Sequence, residues 1–506
     1  MTKAFPVRRR YLVLFSLAVA IVALGWVSPA AAGGLSHTEA PMRVMTEGLT
    51  AEQHLLQEVQ LSQRLAGERP AGALESAIPV QLAAEEIAAV DQASRWTTPL
   101  KIGLVKTLAP GIAVDGLDRG SLDRRSLLAT GGLARQAADG GVVWAAVIRA
   151  DQAGAIRLHV QGLSLPENAA LYVYSRGGEA FGPYTAAGPD GSGDLWTTAV
   201  FGGEAILQLR VSGPVAAAAL RRVSFRVAEI GLITRKFAGD LAGILATPLD
   251  RRARAAAAAS WPCGNQACLI DATCSNVAAA NPAKLAAAKM EWVQGAFIFT
   301  CTGGLISDNN PTQSNFLLTA NHCFSANKTA KNVSFYWRFA TSSCDGTCPS
   351  NTGWPYKTTG ATVAATGKQG DFTLVHLNAA PPAGSVFLGW TSAPVANTNG
   401  AHLYRISNPQ FGPQVYSQHD VDTSAGTCTG WPRGERIYSR DITGAIDGGS
   451  SGSPILNASS QIVGQLSGTC GTAASEVCSS GPGEANATVD GAFAFYFSTV
   501  QPILSP

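Results

Sequence analysis

Gly448-Gly449-Ser450-Ser451-Gly452-Ser453-Pro454 is the stretch on which the reading of this chain turns. A serine flanked by glycines and closed by a proline exposes its hydroxyl on a tight loop and frees backbone N–H groups nearby. The plain alternative is a flexible linker. Ile455-Leu456 and Ile462-Val463 weaken it, because they place the loop between strands. Two further segments belong with it. Leu317-Leu318-Thr319-Ala320-Asn321-His322-Cys323 is an apolar strand ending in a histidine beside a cysteine. Gly370-Asp371-Phe372-Thr373-Leu374-Val375-His376-Leu377 sets a carboxylate at the mouth of a buried strand. Taken singly, the histidine reads as structural and the aspartate as a turn cap. Amide hydrolysis needs a nucleophile, a base within hydrogen-bond reach and a third group that orients the base. Ser451, His322 and Asp371 supply those types, in the order His, Asp, Ser.

The surroundings suit an exported all-β region. All ten cysteines lie between Cys263 and Cys478, an even number that reads first as disulfides in an oxidising compartment. Of 506 residues, 46% are hydrophobic and only 14% charged, against ~25% in an average soluble chain. Helical bundles and coiled coils need more Glu, Lys and Arg than this. The 54 glycines and 27 prolines favour strands and turns. Net charge is +2, and no long basic stretch crosses the body of the chain, which disfavours a nucleic-acid partner. A metal-dependent hydrolase is disfavoured too, since His322, His376, His402 and His419 lack the usual metal-ligand spacing. No metal and no cofactor are expected.

At the other end, Arg8-Arg9-Arg10 precede an apolar stretch over 11–27 and then Ala30-Ala31-Ala32. This is the pattern of a secretory signal peptide over 1–32, with a membrane anchor as the alternative. Arg8-Arg9-Arg10-Tyr11-Leu12 is partly similar to a twin-arginine signal, but Val7 and Val13 fit that poorly. The expectation is a secreted or periplasmic protein without a stable membrane anchor.

Between leader and cysteines, Thr50-Ala51-Glu52-Gln53 has capping-box spacing, so a short helix is expected over 51–66. Short branched and aromatic runs follow at 142–148, 156–160, 171–174, 195–201, 205–211 and 223–233, separated by turns such as Gly188-Pro189-Asp190-Gly191. They predict an antiparallel sandwich of about six to eight strands with no visible chemistry. Arg251-Arg252-Ala253-Arg254, before the alanines at 255–259, reads as an exposed basic linker open to proteases. The alternative is a polar helix end. Beyond it, 292–300, 332–339, 372–377 and 462–466 predict further strands.

The order His, Asp, Ser is that of chymotrypsin and differs from the α/β-hydrolase and subtilisin orders. The chain here resembles the trypsin-like serine proteases, and within them the bacterial lysyl endopeptidase branch. Thr319-Ala320-Asn321-His322-Cys323 is similar to the family's histidine motif, with Asn321 where alanine or histidine is usual. Gly449-Ser450-Ser451-Gly452-Ser453-Pro454 matches the branch's serine motif, and Ala267-Cys268-Leu269-Ile270-Asp271-Ala272-Thr273-Cys274 resembles the start of its mature enzyme. The resemblance covers roughly 263–500. It implies an all-β fold: a double six-stranded antiparallel β-barrel protease domain over 255–506, preceded by a β-sandwich-like pro-region over 33–254. It implies catalysis by His322, Asp371 and Ser451, an oxyanion hole from the N–H groups of Gly449 and Ser451, and substrate pairing along Ser467-Gly468. It also implies disulfides Cys268–Cys470, Cys274–Cys344 and Cys301–Cys323. Cys263, Cys348, Cys428 and Cys478 are left over, with three pairings open.

Two departures bear on mechanism. Where digestive relatives carry an aspartate before the nucleophile, to receive a freed N-terminus, this chain has Ser450. Removal of a blocking or chaperoning pro-region is therefore the better account of activation. In the specificity pocket Ala445 stands where basic-specific digestive enzymes carry an aspartate, and the branch's lysine-binding aspartate falls at Thr488. Asp447 and Asp490 lie near the same walls and are the candidates for binding a Lys or Arg side chain, with solvated loop aspartates as the plain alternative. The expected partners are protein or peptide substrates and the chain's own pro-region, with the enzyme a monomer. The rival is a catalytically inactive homologue that serves as a secreted binding or adhesion module.

Overall fold

The computed structural model describes residues 37–93, 98–117, 131–214, 217–238, 263 and 267–506. The expected leader, the basic run at 251–254 and the boundary at 254/255 lie outside them. Ala51–Glu68 forms helix α1, and its capping box is present: Gln53 N–H donates to Thr50 Oγ1 and Thr50 N–H to Gln53 Oε1. Six long strands follow: β1 Leu100–Asp115, β2 Val142–Arg149, β3 Ala153–Ser164, β4 Ala169–Tyr174, β5 Glu204–Val211 and β6 Ser224–Thr234. Strand β2 (Val-Val-Trp-Ala-Ala-Val-Ile-Arg) is buried along nearly all its length, as a strand covered on both faces must be. Strands β2, β5 and β4 make one antiparallel sheet, and β1, β6 and β3 belong to the other. Trp144 of the first meets Phe225 of the second edge to face, ring centroids 5.3 Å apart. The expected strand at 195–201 is two short pieces, Leu195–Trp196 and Val200–Phe201, both paired with β3. Between them Thr197 turns its carbonyl to Arg157 Nε.

Strand β1 is the element sequence reading passed over, because Gly103, Pro110 and Gly111 interrupt its apolar pattern. It also joins the two halves of the molecule, since its first residues pair with the C-terminal part. There, β7 Ala287–Gln294 and β8 Phe297–Leu305 form a hairpin over Gly295 (φ +60°), where one strand was expected at 292–300. With β9 Phe316–Ala320, β10 Ser334–Trp337, β11 Ala361–Gly367 and β12 Phe372–Leu377 they complete a six-stranded antiparallel set, β10–β7–β8–β9–β12–β11. Among the described residues no ladder joins β10 to β11, so this first barrel is an open ring. The second is closed. Strands β13 His402–Ser407, β14 Val415–Val421, β15 Arg436–Thr443, β16 Pro454–Leu456, β17 Ile462–Gly471 and β18 Asn486–Ala492 run β13–β14–β15–β18–β17–β16 and back to β13. Helix α2, Phe493–Leu504, ends the chain.

All ten cysteines are paired. Cys274 bonds Cys344, Cys301 bonds Cys323 and Cys263 bonds Cys348. One implied pairing is corrected. Cys470 faces Cys428, because β17 carries it into a small cluster with Tyr438 and Trp431. Cys268 instead bonds Cys478, which tethers the loop after β17. The N- and C-terminal parts share a hydrophobic core in which Val293, Ile298, Tyr336 and Phe411 pack with the sandwich. Two fully buried or nearly buried ion pairs cross it, Arg157–Glu291 and Glu179–Lys357.

Candidate active site

The site forms where the two barrels meet. His322 follows β9, and Asp371 precedes β12, the strand paired with β9, so the ladder itself brings base and orienter together. His322 Nδ1 lies 2.8 Å from Asp371 Oδ2, and the His322 N–H donates to Asp371 Oδ1 at 2.9 Å. With Nδ1 engaged, Nε2 is the ring nitrogen left to take a proton, and it lies 3.9 Å from Cys323 Sγ. Asp371 adopts φ +51°, a left-handed conformation that costs a non-glycine residue energy and persists only where the surroundings enforce it. Gln465 on β17 supplies that enforcement. Its Nε2 donates to the carbonyls of Gly370 (2.8 Å) and Asp371 (2.9 Å), while its Oε1 accepts from the buried Tyr496 hydroxyl. Gly491 is obligatory beside them: a Cβ there would stand 1.9 Å from Gly370 O.

The nucleophile loop hangs from the first barrel. Thr302 on β8 donates its N–H to Ser451 O (2.8 Å) and its hydroxyl to Gly449 O (2.9 Å). Gly449 (φ +96°) and Gly452 (φ +79°) take conformations that favour glycine, which accounts for the glycine-rich motif. Neither the Gly449 nor the Ser451 N–H has an acceptor among the described residues. Ser450, fully buried, accepts a hydrogen bond from Ser407 Oγ at 3.0 Å; the position offers no charge to a chain terminus. Ser451 and His322 line one cavity of about 630 Å³, and among the described residues no hydrogen bond joins them. Such contacts are often long in an empty site and tighten with substrate. The arrangement can deprotonate a hydroxyl, hold the resulting imidazolium against Asp371 and stabilise an oxyanion.

Ser467 and Gly468 line this cavity, and so does Asp447, whose carboxylate accepts from Gln410 Nε2 (3.0 Å) and the Gly448 N–H (2.7 Å). Asp490 does not, which corrects its placement on the pocket wall. It is fully buried with Oδ1 2.5 Å from Arg405 Nη2, and Arg405 Nη1 in turn donates to Ser453 O. A carboxylate so far from water needs a paired cation, and this pair braces the nucleophile loop from behind. Thr488 is also buried, donating to Asp441 Oδ1 at 2.6 Å in a chain that continues to His419 and Ser417. Sequence reading missed three contributors. Glu476 lines the cavity on the loop tethered by Cys478. Gln465 was signalled only as a lone polar residue in the apolar run 462–466. Thr302 carried no signal.

Comparison with known proteins bears on the C-terminal part. A family model described as the lysyl endopeptidase C-terminal domain matches residues 264–483. A lysyl endopeptidase of Pseudomonas aeruginosa is 31% identical over 196 residues, 37% of this chain and 41% of that protein. The chain thus matches about two fifths of the curated relative's own length. Among solved structures, the Rv3671c protease of M. tuberculosis in its active form is similar over 46% of this chain and 87% of its own, with 16% identity and a TM-score of 0.31. The HtrA-type protease AlgW with a tripeptide is similar over 45% and 62%, with 14% identity and a TM-score of 0.32. The resemblance to lysyl endopeptidases read from the motifs is therefore shown for the cysteine-bearing region.

Proposed function

We propose that this protein is a secreted serine endopeptidase, made as a zymogen, whose 33–254 segment is a pro-region removed by cleavage after Arg252 or Arg254. The observation that carries the proposal is the His322–Asp371 pair facing Ser451 across one cavity, with the N–H groups of Gly449 and Ser451 unpaired beside it. Ser451 Oγ attacks the scissile carbonyl as His322 Nε2 takes its proton. Asp371 holds the imidazole in the tautomer with Nδ1–H and stabilises the imidazolium. The oxyanion sits on the Gly449 and Ser451 N–H groups, each donor worth roughly 3–4 kcal/mol in comparable sites. Collapse of the intermediate passes the proton from His322 to the leaving amine and leaves an acyl-Ser451 ester, which water hydrolyses by the same steps.

A Lys or Arg side chain before the scissile bond is the preferred fit, because Asp447 and Glu476 bring two carboxylates to the cavity walls. The substrate's acyl half pairs with Ser467-Gly468 by strand addition. Export is in keeping with five disulfides, and no helix among the described residues is long and apolar enough to cross a membrane.

The test is labelling with a serine-directed fluorophosphonate together with casein hydrolysis, on the parent protein and on Ser451→Ala. We expect labelling and hydrolysis in the parent and neither in the variant. Casein hydrolysis that persists in purified Ser451→Ala would overturn the assignment. An unlabelled, inactive parent whose mature form is nevertheless folded would favour the binding-module reading.

A further inference from the structure

Ahead of helix α1 the chain makes a contact that belongs neither to the sandwich nor to the cleft. Residues 38–45 lie extended along the segment 383–392 of the C-terminal part. Glu39 pairs with Thr391 and Ala40 with Trp390, antiparallel; Arg43 pairs with Phe387 and Val44 with Val386 in the same sense. The main chain extends both ladders. Ser392 N–H donates to Thr38 O (2.9 Å), Met45 N–H to Ser385 O (2.8 Å) and Gly384 N–H to Met45 O (2.8 Å). Trp390 pairs in turn with Ile462 at the start of β17. The arm at 38–45 is therefore the outermost strand of the sheet that holds the second barrel.

The surface beneath the arm is shaped for particular side chains. The Glu39 carboxylate accepts from Thr391 Oγ1 and from Gln461 Nε2, both at 3.1 Å, and its carbonyl accepts from Asn309 Nδ2 at 3.0 Å. Ala40 is 3% exposed and belongs to the core that holds Ile306, Phe387 and Trp390. Gly389 gives way to it: a Cβ there would stand 2.6 Å from Ala40 O and 3.0 Å from Met42 N, so the close approach of the two main chains requires glycine. Pro41, which has no N–H to donate, falls between the two ladders. Arg43 Nη1 donates to Asn310 O at 2.8 Å. Met42 and Val44 stay exposed. What the surface reads is an acid, then a small residue, then an arginine three positions on. Strand addition gives the affinity, and the side-chain contacts give the selectivity.

Among the described residues, none of those that hold the arm lines the cavity of Ser451. Ile462 and Ser467 are five residues apart on β17, roughly 17 Å at ~3.3 Å per residue. We infer that the 383–392 segment, with Asn309, Asn310 and Gln461, is a peptide-docking site separate from the cleft. Its ligand is an extended segment of the pattern Glu-small-Pro-x-Arg, and its occupant in this chain is residues 38–45. The inference goes beyond the hydrolase reading and does not depend on it. It gives the C-terminal part a second place at which a peptide is recognised, by pairing and shape and with no chemistry. A site vacated by the arm would present a bare strand edge, the kind of surface that pairs readily with another extended chain.

The experiment uses the full chain as Ser451→Ala, so its outcome stands whether or not the hydrolase reading does. Ala40→Glu sets a carboxylate against a core position and is expected to free the arm while leaving the docking site intact. A fluorescent peptide of residues 37–46 is then added and its anisotropy followed. It is expected to bind the Ala40→Glu chain at least about tenfold more tightly than the parent, whose own arm competes at roughly millimolar effective concentration. The same peptide carrying Ala40→Glu is expected to bind neither chain. Absence of saturable binding to the Ala40→Glu chain, or equal affinity for the two chains, overturns the inference. Should Ala40→Glu fail to fold, Glu39→Gln with Arg43→Ala, at less buried positions, takes its place with the same expected gain. Separation from the cleft is tested by adding Asp447→Asn and Glu476→Gln to the arm-freed chain. Affinity for the peptide is expected to stay within about twofold, and a tenfold loss, about 1.4 kcal/mol, would put the peptide in the cleft and overturn the inference.

Discussion

Gln465 shows how much of this site rests on residues that do no chemistry. One amide fixes two consecutive carbonyls, at Gly370 and Asp371, and through them the strained backbone that aims the carboxylate at His322. Gln465→Leu keeps the volume and removes those donors. It is expected to lower kcat about 10²-fold, the cost of a misplacement near 1 Å, with KM little changed. A merely structural defect would lower the amount of folded enzyme instead, so active-site titration beside the kinetics separates the two. Specificity is tested at the same scale. Asp447→Asn and Glu476→Gln are expected each to weaken cleavage after Lys and Arg, and the double variant to abolish that preference in peptide-library profiling; a preference that survives both places the determinant elsewhere. The three catalytic candidates were legible only together: the glycine-rich serine loop is the unusual motif, and the histidine and aspartate, ordinary singly, gain meaning from the order His, Asp, Ser. Asp490 misled for an opposite reason. An aspartate two residues along a strand from Thr488, where the resemblance places the lysine-binding position, looks accessible in one dimension, and only the fold shows Arg405 holding it in the core.

Elements were read well where the pattern is local. The helix behind Thr50 starts where the capping box places it, and β12 has the bounds its apolar run indicates. Thr50→Ala removes one side-chain acceptor and the reciprocal box, so a loss of about 1 kcal/mol is expected in chemical denaturation of the whole chain. A loss within error would mean that packing of Ser62 and Leu65, not the cap, sets that helix. Reading failed where the determinant is non-local. Nothing in Leu100-Lys101-Ile102-Gly103-Leu104 says that its partner lies some two hundred residues away on β8. Cysteine pairing failed likewise, since Cys470 and Cys478 compete for Cys268 in sequence and are separated only by which side of β17 the loop at 474–478 returns on.

At the scale of the whole molecule, the two parts are held by charges sealed inside their contact. Arg157 of the sandwich gives Nη1 to Glu291 (3.2 Å), Nη2 to the Asn332 carbonyl (2.7 Å) and Nε to Thr197 O, all fully buried. Removing one member strands the other, so Arg157→Met is expected to cost about 3–5 kcal/mol in the unfolding of the intact Ser451→Ala chain. Beside this pair lies the Glu179–Lys357 bridge, and facing both of its members is Glu58 of α1. Burial raises the Glu58 carboxyl to about 7; Lys357 opposes the rise, Glu179 adds to it, and the Ala180 N–H opposes it. The sign follows. Between about pH 4.5, where the unfolded carboxyl titrates, and about 7 the native chain holds a proton that the unfolded chain has lost. Glu58 therefore stabilises the docked state most at acid pH, and its contribution falls as pH rises through that window. Glu58→Gln carries no such proton. Thermal unfolding of Ser451→Ala chains with and without Glu58→Gln should give a difference near zero at pH 4.5 that grows in favour of the glutamine to pH 8. The same trend should appear in how readily a nicked N-terminal part leaves, because Glu58 and Glu179 stand on one side of the contact and Lys357 on the other. A difference that is flat across pH 4.5–8 would show that Glu58 is ionised throughout and that the bridge alone sets the electrostatics of the contact.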